Sequence, residues 1–401
     1  MKDTKVHYAW VICFAGVLML FCSIGLAANV FSVYQPYIIE INKYSYTQGS
    51  MLVTLRMASA LMSLFLIDKY YNALGIRVGA SLAIGSIALA YLIFGVADRY
   101  WMYAVGAFIS GIGYSLGAMI PVSLVVNKWF NIHKALALGI CSAGTGIATV
   151  IMPPVVTALI NNIGLKYAFL SESALIFAIA IIIFVLIRNQ PAELNMEPLG
   201  KEVEIKTDKK QGRYVLSKKQ WYAIIFILFL LGGGGSNGFT HLGVLFTSEN
   251  YDSMQVARII SMMGILLGIG KCILGEIYDR IGSYRANYIF GVLAIFGSIC
   301  CCLSPLHNRV ILVIGIITLG FGFPINNVGV PIWAADFSGA RSYEKVLKRF
   351  QIAYTCGTMF FSMVTGLSAD IFDSYIPIYM LFTIIITIFI IVLQTIYKKV
   401  T

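Results

Sequence analysis

Charge is what this chain has least of. Only 12% of its 401 residues are Asp, Glu, Lys or Arg, against roughly 25% in an average soluble domain. Acid is scarcer than base, 18 residues against 29, and histidine occurs four times. So little charge cannot cover a water-exposed surface. With 59% hydrophobic residues and a mean hydropathy of +0.83, the chain belongs in lipid. The same scarcity excludes most enzyme chemistry, because no paired carboxylates, Ser/His/Asp grouping, nucleotide loop or metal-ligand spacing can be assembled. Eight cysteines are scattered, three of them adjacent at Cys300, Cys301 and Cys302 inside an apolar run, and they outline neither a disulfide framework nor a metal site. No cofactor or metal is expected. The opening stretch MKDTKVHYAW lacks a small-residue cleavage site and leads into a run too long for a signal peptide, so it reads as a retained first helix.

Apolar length is what the chain has instead. Twelve segments, near 8–35, 48–68, 78–97, 102–126, 135–160, 166–187, 220–246, 255–278, 285–305, 309–335, 347–369 and 375–397, are apolar over most of their length. A run of about 18 residues is enough to cross a bilayer as a helix. The expected class is therefore an all-α integral membrane protein with twelve transmembrane helices. With the N-terminus inside, cytosolic segments hold 22 of the 29 Lys and Arg, and outer segments hold 5. Arg56 and Lys271 are left within the membrane. This bias places both termini in the cytosol. The net charge of +11 is then topology, and no nucleic-acid partner is expected.

One long polar break, residues 188–219, carries eight basic and five acidic residues and two prolines. It reads as a cytosolic linker between six-helix halves at 1–187 and 220–401. The halves echo each other. After span 2 comes LIDKYYNALGIR, with Asp68, Gly75 and Arg77; after span 8 comes GEIYDRIGSYR, with Asp279, Arg280, Gly282 and Arg285. Span 4 holds GIGYSLGAMIP and span 10 holds GFGFPINNVGVP. Such six-helix repeats in parallel are a transporter signature.

The acid-basic-x-Gly-x-x-basic loops and the layout of six spans, linker and six spans resemble the major facilitator superfamily. Residues Lys128-Trp129-Phe130, the pair Gly144 and Gly146, and Gly164 with Tyr167 and Phe169 at the start of span 6 are similar to its oxalate/formate antiporter and monocarboxylate transporter branch. The resemblance implies two pseudo-symmetric bundles and a chain that works as a monomer. Asp279, Arg280 and Arg285 are expected to latch an inner gate, with Asp68 and Arg77 as the counterpart after span 2; ordinary charge at helix ends is the rival reading. That branch places an arginine where Lys271 stands. A lysine expected in span 11 is missing, with Cys356 in its vicinity, which leaves oxalate itself in doubt.

The buried cations carry the functional expectation. Lys271 lies eight residues, roughly 12 Å, inside Asp279, and Arg56 lies twelve residues, roughly 18 Å, inside Asp68. Charge at that depth costs at least about 2.5–3.5 kcal/mol and usually faces a cavity or a partner. Gly264, Gly268 and Gly275 share the face of Lys271, and Gly49, Ser59, Ala60 and Ser63 that of Arg56. Glu172, Glu276 and Asp336 lie toward helix ends, so two cations without fixed carboxylates imply a mobile anion. The expected cargo is a small mono- or dicarboxylate, bound by Lys271 and Arg56 with Tyr114, Asn237 and Asn326 as further lining; residues such as the last three more often make interhelical bonds than ligand contacts. A phosphorylated or larger organic anion is the alternative, and a non-transporting receptor a remoter one. His241 falls near an outer helix end, so exchange ranks above fixed-carboxylate proton coupling. Four consecutive glycines, Gly232 to Gly235, suggest either a bending gate or close packing. Compact loops suggest a prokaryotic inner membrane.

Overall fold

The computed structural model of the protein describes residues 7–131, 134–200, 216–338 and 343–400. Among these residues helices account for almost everything, and the strand-like element is an isolated bridge between Phe130 and Leu199. Ten helices are long and apolar enough to cross a membrane. Two of them, Tyr46–Val96 and Ala137–Leu186, have 51 and 50 residues. At 1.5 Å per residue each is about 75 Å long, more than twice the roughly 30 Å hydrocarbon core. Each is broken once at a glycine, so the ten helices make twelve passages.

We number the passages α1 (Ala9–Asn42), α2 and α3 (46–74 and 76–96, on either side of Gly75), α4 (Tyr100–Trp129), α5 and α6 (137–163 and 165–186, on either side of Gly164), α7 (Lys218–Thr240), α8 and α9 (253–281 and 283–302, on either side of Gly282), α10 (Arg309–Phe337), α11 (Lys345–Phe372) and α12 (Ile376–Lys399). The three breaks share one geometry. Gly75 has φ 70° and ψ 170°, Gly164 φ 84° and ψ 163°, and Gly282 φ 79° and ψ 164°. That region is essentially closed to residues with a side chain. Two of these glycines belong to the charged loops and the third opens α6, so each motif is a backbone requirement as well as a charge pattern.

α1 and α7, the first helix of each half, both leave α geometry midway. Phe21–Val30 and Gly232–Ser236 are π-helical, with hydrogen bonds spanning five residues instead of four. In α7 this stretch is the glycine run, and its neighbours explain it. A Cβ on Gly232 would lie 1.9 Å from the Tyr354 carbonyl oxygen, one on Gly233 2.4 Å from the Phe361 ring, and one on Gly235 2.4 Å from the Asn326 amide. α10 and α11 thus approach α7 where only hydrogen fits, and close packing accounts for the run.

Contacts divide the chain into two compact units, Met1–Phe31 with Leu55–Lys206, and Ser32–Thr54 with Thr207–Thr401. The second unit therefore takes in the end of α1 and the first turns of α2, residues that the sequence alone assigns to the first half. Its core gathers Leu228 and Leu231 from α7, Trp333 and Phe337 from α10, and Phe389 and Tyr397 from α12. In the first unit, part of the expected linker is tied down. Pro191–Leu194 forms a 3-10 turn, and the Leu199 N–H donates to the Trp129 carbonyl at 2.8 Å. Residues 201–215 of that linker lie outside the described residues.

Candidate functional site

In the first unit the sequence-predicted cation is held in the core. Arg56 of α2 is 2% exposed. Its Nη1 donates to the carbonyl of Ala27, inside the π-helical part of α1, and its guanidinium lies 5.2 Å from the centre of the Phe31 ring. Nε and Nη2 are buried with no hydrogen-bond partner. Among the described residues the ion pair that forms is Arg280–Glu276, not one with Arg56. Nε and Nη2 lie on one edge of the guanidinium, the edge whose geometry matches two parallel bonds to a carboxylate or phosphate. Local packing places it there. A Cβ on Gly111 of α4 would sit 2.0 Å from the Arg56 carbonyl oxygen, so α2 and α4 cross in contact. That crossing brings Tyr114, one helical turn further along α4, into electrostatic reach of the guanidinium, together with Tyr91 of α3.

In the second unit Lys271 is half-buried on α8. The opposite face of that helix is an exposed apolar stripe of Met262, Ile265, Ile269 and Ile273, the side suited to lipid. On the Lys271 side, the positions where a Cβ would stand on Gly268 and Gly275 have no heavy atom within 4 Å. The lysine therefore shares its face with open space. Asn237 has a different setting. It is fully buried, and its amide donates to the Gly233 and Thr358 carbonyls, both at 3.0 Å, which ties α7 to α11. Its Oδ1 is buried without a partner. Asn326 is 7% exposed with its amide pressed on Gly235.

The charged loops divide into contacts of unequal worth. Arg77 is a clasp inside the first unit. Its backbone N–H donates to Asn189 Oδ1 at 3.0 Å, its Nε donates to the Phe184 carbonyl at 2.8 Å, and its guanidinium stands over the Phe184 ring at 4.4 Å. It fastens the start of α3 to the end of α6. Asp68 is exposed. In the second unit Arg280 pairs with Glu276 one turn back on the chain, and both side chains are mostly exposed, a type of pair worth little. Arg285 is exposed. The side chain of Asp279 lies outside the described residues. The carboxylate that does bridge elements there is Asp336 of α10, which accepts from Ser283 at the start of α9 and from Tyr397 of α12.

Three polar groups that the sequence places toward helix ends have partners it does not reveal. Asp336 offered only a helix-end position. Glu172 of α6, read as near an outer end, is 2% exposed and interacts electrostatically with Cys22 of α1 and Tyr91 of α3. His241 is fully buried between Gln35 and Ser362. The signal for Glu172 was its isolation as an acid in an apolar run; Gln35 and His241 are 206 residues apart and carry no local signal of their pairing.

Comparison with known proteins agrees with this architecture. The sequence pattern of the Major Facilitator Superfamily matches residues 16–362. Among curated relatives, the agnestins efflux protein of Paecilomyces divaricatus is 25% identical over 71% of this chain and 63% of its own length. Monocarboxylate transporter 12 of Rattus norvegicus is 24% identical over 77% of this chain and 68% of its own. The chain thus spans a little under two thirds of the first of these proteins and slightly more than two thirds of the second. Among solved structures, the nucleoside transporter NupG superposes with a TM-score of 0.76 over 98% of this chain and 99% of its own, at 12% identity. A bacterial homologue of the human lysosomal transporter Spinster gives 0.64 over 92% and 84%, at 14% identity.

Proposed function

The chain belongs to the Major Facilitator Superfamily and is a multi-pass membrane transporter rather than an enzyme, and on that premise we propose that its cargo is a small organic anion, a mono- or dicarboxylate, moved by alternating access and preferentially by exchange. The observation that carries this reading is Arg56: a buried guanidinium with Nε and Nη2 unused. A cation kept at that depth, with no ion pair among the described residues, is stabilised when an anion arrives. Lys271, beside open space on α8, supplies a second positive group of different geometry, a point charge rather than a fork. Tyr114 completes the polar wall near Arg56. Asn237 and Asn326 serve the packing of α7 and contribute to cargo only through the unpartnered Oδ1 of Asn237. Exchange is preferred because both proposed binding groups are cations. Both termini face the cytosol by the distribution of Lys and Arg, and the compact loops favour a prokaryotic inner membrane.

The test is counterflow in proteoliposomes loaded in turn with formate, acetate, lactate, oxalate or succinate, following uptake of the matching labelled anion. One small carboxylate should exchange in the wild type and lose exchange in Arg56→Gln. If the whole panel stays outside while a phosphorylated organic anion moves, the carboxylate reading falls. If Arg56→Gln exchanges like the wild type, the guanidinium belongs to the scaffold.

A further inference from the structure

His241 lies six residues after the glycine run of α7, and it is sealed inside the second unit at 0% exposure. Its surroundings are built for hydrogen bonding. Nδ1 faces the Gln35 amide of α1 at 3.3 Å, and Nε2 faces the Ser362 hydroxyl of α11 at 3.4 Å. Ser362 donates onward to the Ser50 carbonyl of α2 at 3.1 Å. The Tyr375 ring stacks beside the imidazole at 6.3 Å between centroids. With Gln35 Nε2 turned toward Nδ1, the pattern fits a neutral imidazole that accepts at Nδ1 and donates from Nε2. Like the hydroxyls of Ser50 and Tyr375, Oε1 of Gln35, itself 0% exposed, is buried in that wiring with no partner among the described residues.

The orphaned oxygen has a use. Rotating the Gln35 amide by half a turn exchanges Nε2 for Oε1 and places an acceptor where the donor stood. The imidazole can then carry a proton on both nitrogens, with Gln35 Oε1 and Ser362 Oγ as acceptors. Tyrosines and carboxylates stand further out. Tyr375 is held neutral, because burial raises its phenol above the usual range. Tyr46 packs edge-on to Tyr375 at 5.2 Å. Beyond them stand Asp370 from α11, Asp373 from the turn before α12 and Glu249 from the end of the α7 segment, all acting on Tyr46. Burial opposes the charge; the two acceptors support it.

We propose that His241 is a proton-binding site whose occupancy, set by rotation of the Gln35 amide, governs how firmly α1 and α11 are held to α7. The site is distinct from Arg56 and Lys271, and it does not depend on the identity of the cargo. Taking up the proton replaces the bond from Gln35 Nε2–H to Nδ1 by one from Nδ1–H to Gln35 Oε1, and turns both bonds of the imidazole into charge-assisted ones. The charge-assisted hold is present while the imidazole carries both protons and is lost as pH rises through the site's midpoint.

The experiment is nitrogen NMR of the full chain labelled at histidine, with the His241 signals identified by their loss in His241→Gln. If that variant fails to fold, the same signals are identified by elimination with His7→Gln, His133→Gln and His307→Gln. The two nitrogens of His241 should convert from one donor and one acceptor to two donors within the range of about pH 5 to 8. Gln35→Met removes the acceptor and should lower the midpoint by about one pH unit or more, and Gln35→Glu should raise it by a similar amount. A neutral pattern maintained down to pH 5 overturns the site. A midpoint indifferent to both Gln35 variants overturns the role of the amide.

Discussion

Arg56 donates to the carbonyl of Ala27, and its Nε and Nη2 have no hydrogen-bond partner among the described residues. One bond fixes the orientation of the fork while two donors stay available, a division suited to a group that holds cargo and is also held. Arg56→Gln should lower exchange about tenfold or more, the worth of one charge-assisted hydrogen bond. Arg56→Lys keeps the charge but loses the fork, and should recover only part of the rate. Initial rates of counterflow in proteoliposomes check both.

Lys271 is expected to act through charge rather than shape. Lys271→Gln should lower exchange about tenfold, whereas Lys271→Arg should stay within a few-fold of the wild type, because Gly268 and Gly275 leave room for the longer head group. Equal loss in both variants would mean that the compact ammonium itself is required.

Asp370 caps a helix that is not its own. Its Oδ1 and Oδ2 accept the backbone N–H groups of Tyr46 and Thr47, at 2.7 and 2.8 Å, where α2 begins. The first N–H groups of a helix have no partner within it, and a carboxylate there also meets the positive end of the helix dipole. Asp370→Ala should cost about 1 kcal/mol, read as a melting temperature lower by roughly 2–4 °C. Asp370→Asn should lose less.

Gly75 and Gly282 have nearly the same backbone angles but different neighbours. A Cβ on Gly282 would meet nothing within 4 Å, so Gly282→Ala carries only backbone strain, about 1–3 kcal/mol. A Cβ on Gly75 would lie 2.9 Å from Asn189 Oδ1, the atom that accepts the Arg77 N–H. Gly75→Ala should therefore be the more damaging substitution. A stability comparison in one detergent decides it.

The two carboxylates near the α8–α9 turn should behave oppositely. Glu276→Gln removes half of an exposed pair with Arg280 and should change stability by no more than about 0.5 kcal/mol. Asp336→Ala leaves the hydroxyls of Ser283 and Tyr397 without their acceptor and should cost about 1–3 kcal/mol. Similar losses in both would make the exposed pair a genuine latch.

Features set by local composition were legible in the sequence. Each passage announces itself by uninterrupted apolar length, and Gly75, Gly164 and Gly282 stood out because no other residue serves at those breaks. Arg56 and Lys271 were visible as cations where lipid should exclude them. What stayed hidden depends on pairings across long separations. The hydrogen-bond register of the π stretches follows from how α1 and α7 are packed, so the stretch Phe21–Val30 has no signature of its own. Asn237 looked like cargo lining, and nothing local tells that Thr358, 121 residues later, presents a carbonyl to it. Asp336 was one acid at a helix end until Ser283 and Tyr397 converged on it. The assignment of Ser32–Thr54 to the second unit likewise rests on contacts such as the Asp370 cap, made by residues more than 300 positions away.

The wide turn of α1 is a defect that can travel. A π stretch holds one more residue per turn than the ladder on either side, and moving it by one register breaks and remakes a single hydrogen bond at each end. The helix on either side would keep its phase, and only the residue that the defect passes over would turn, by about 100°, the angle one residue occupies in a helix. Ala27, whose carbonyl steadies Arg56, lies inside that stretch. A step of the defect along α1 would swing this acceptor away and leave the guanidinium with all its donors unassigned, so the tether on the cation is set by the phase of a neighbouring helix.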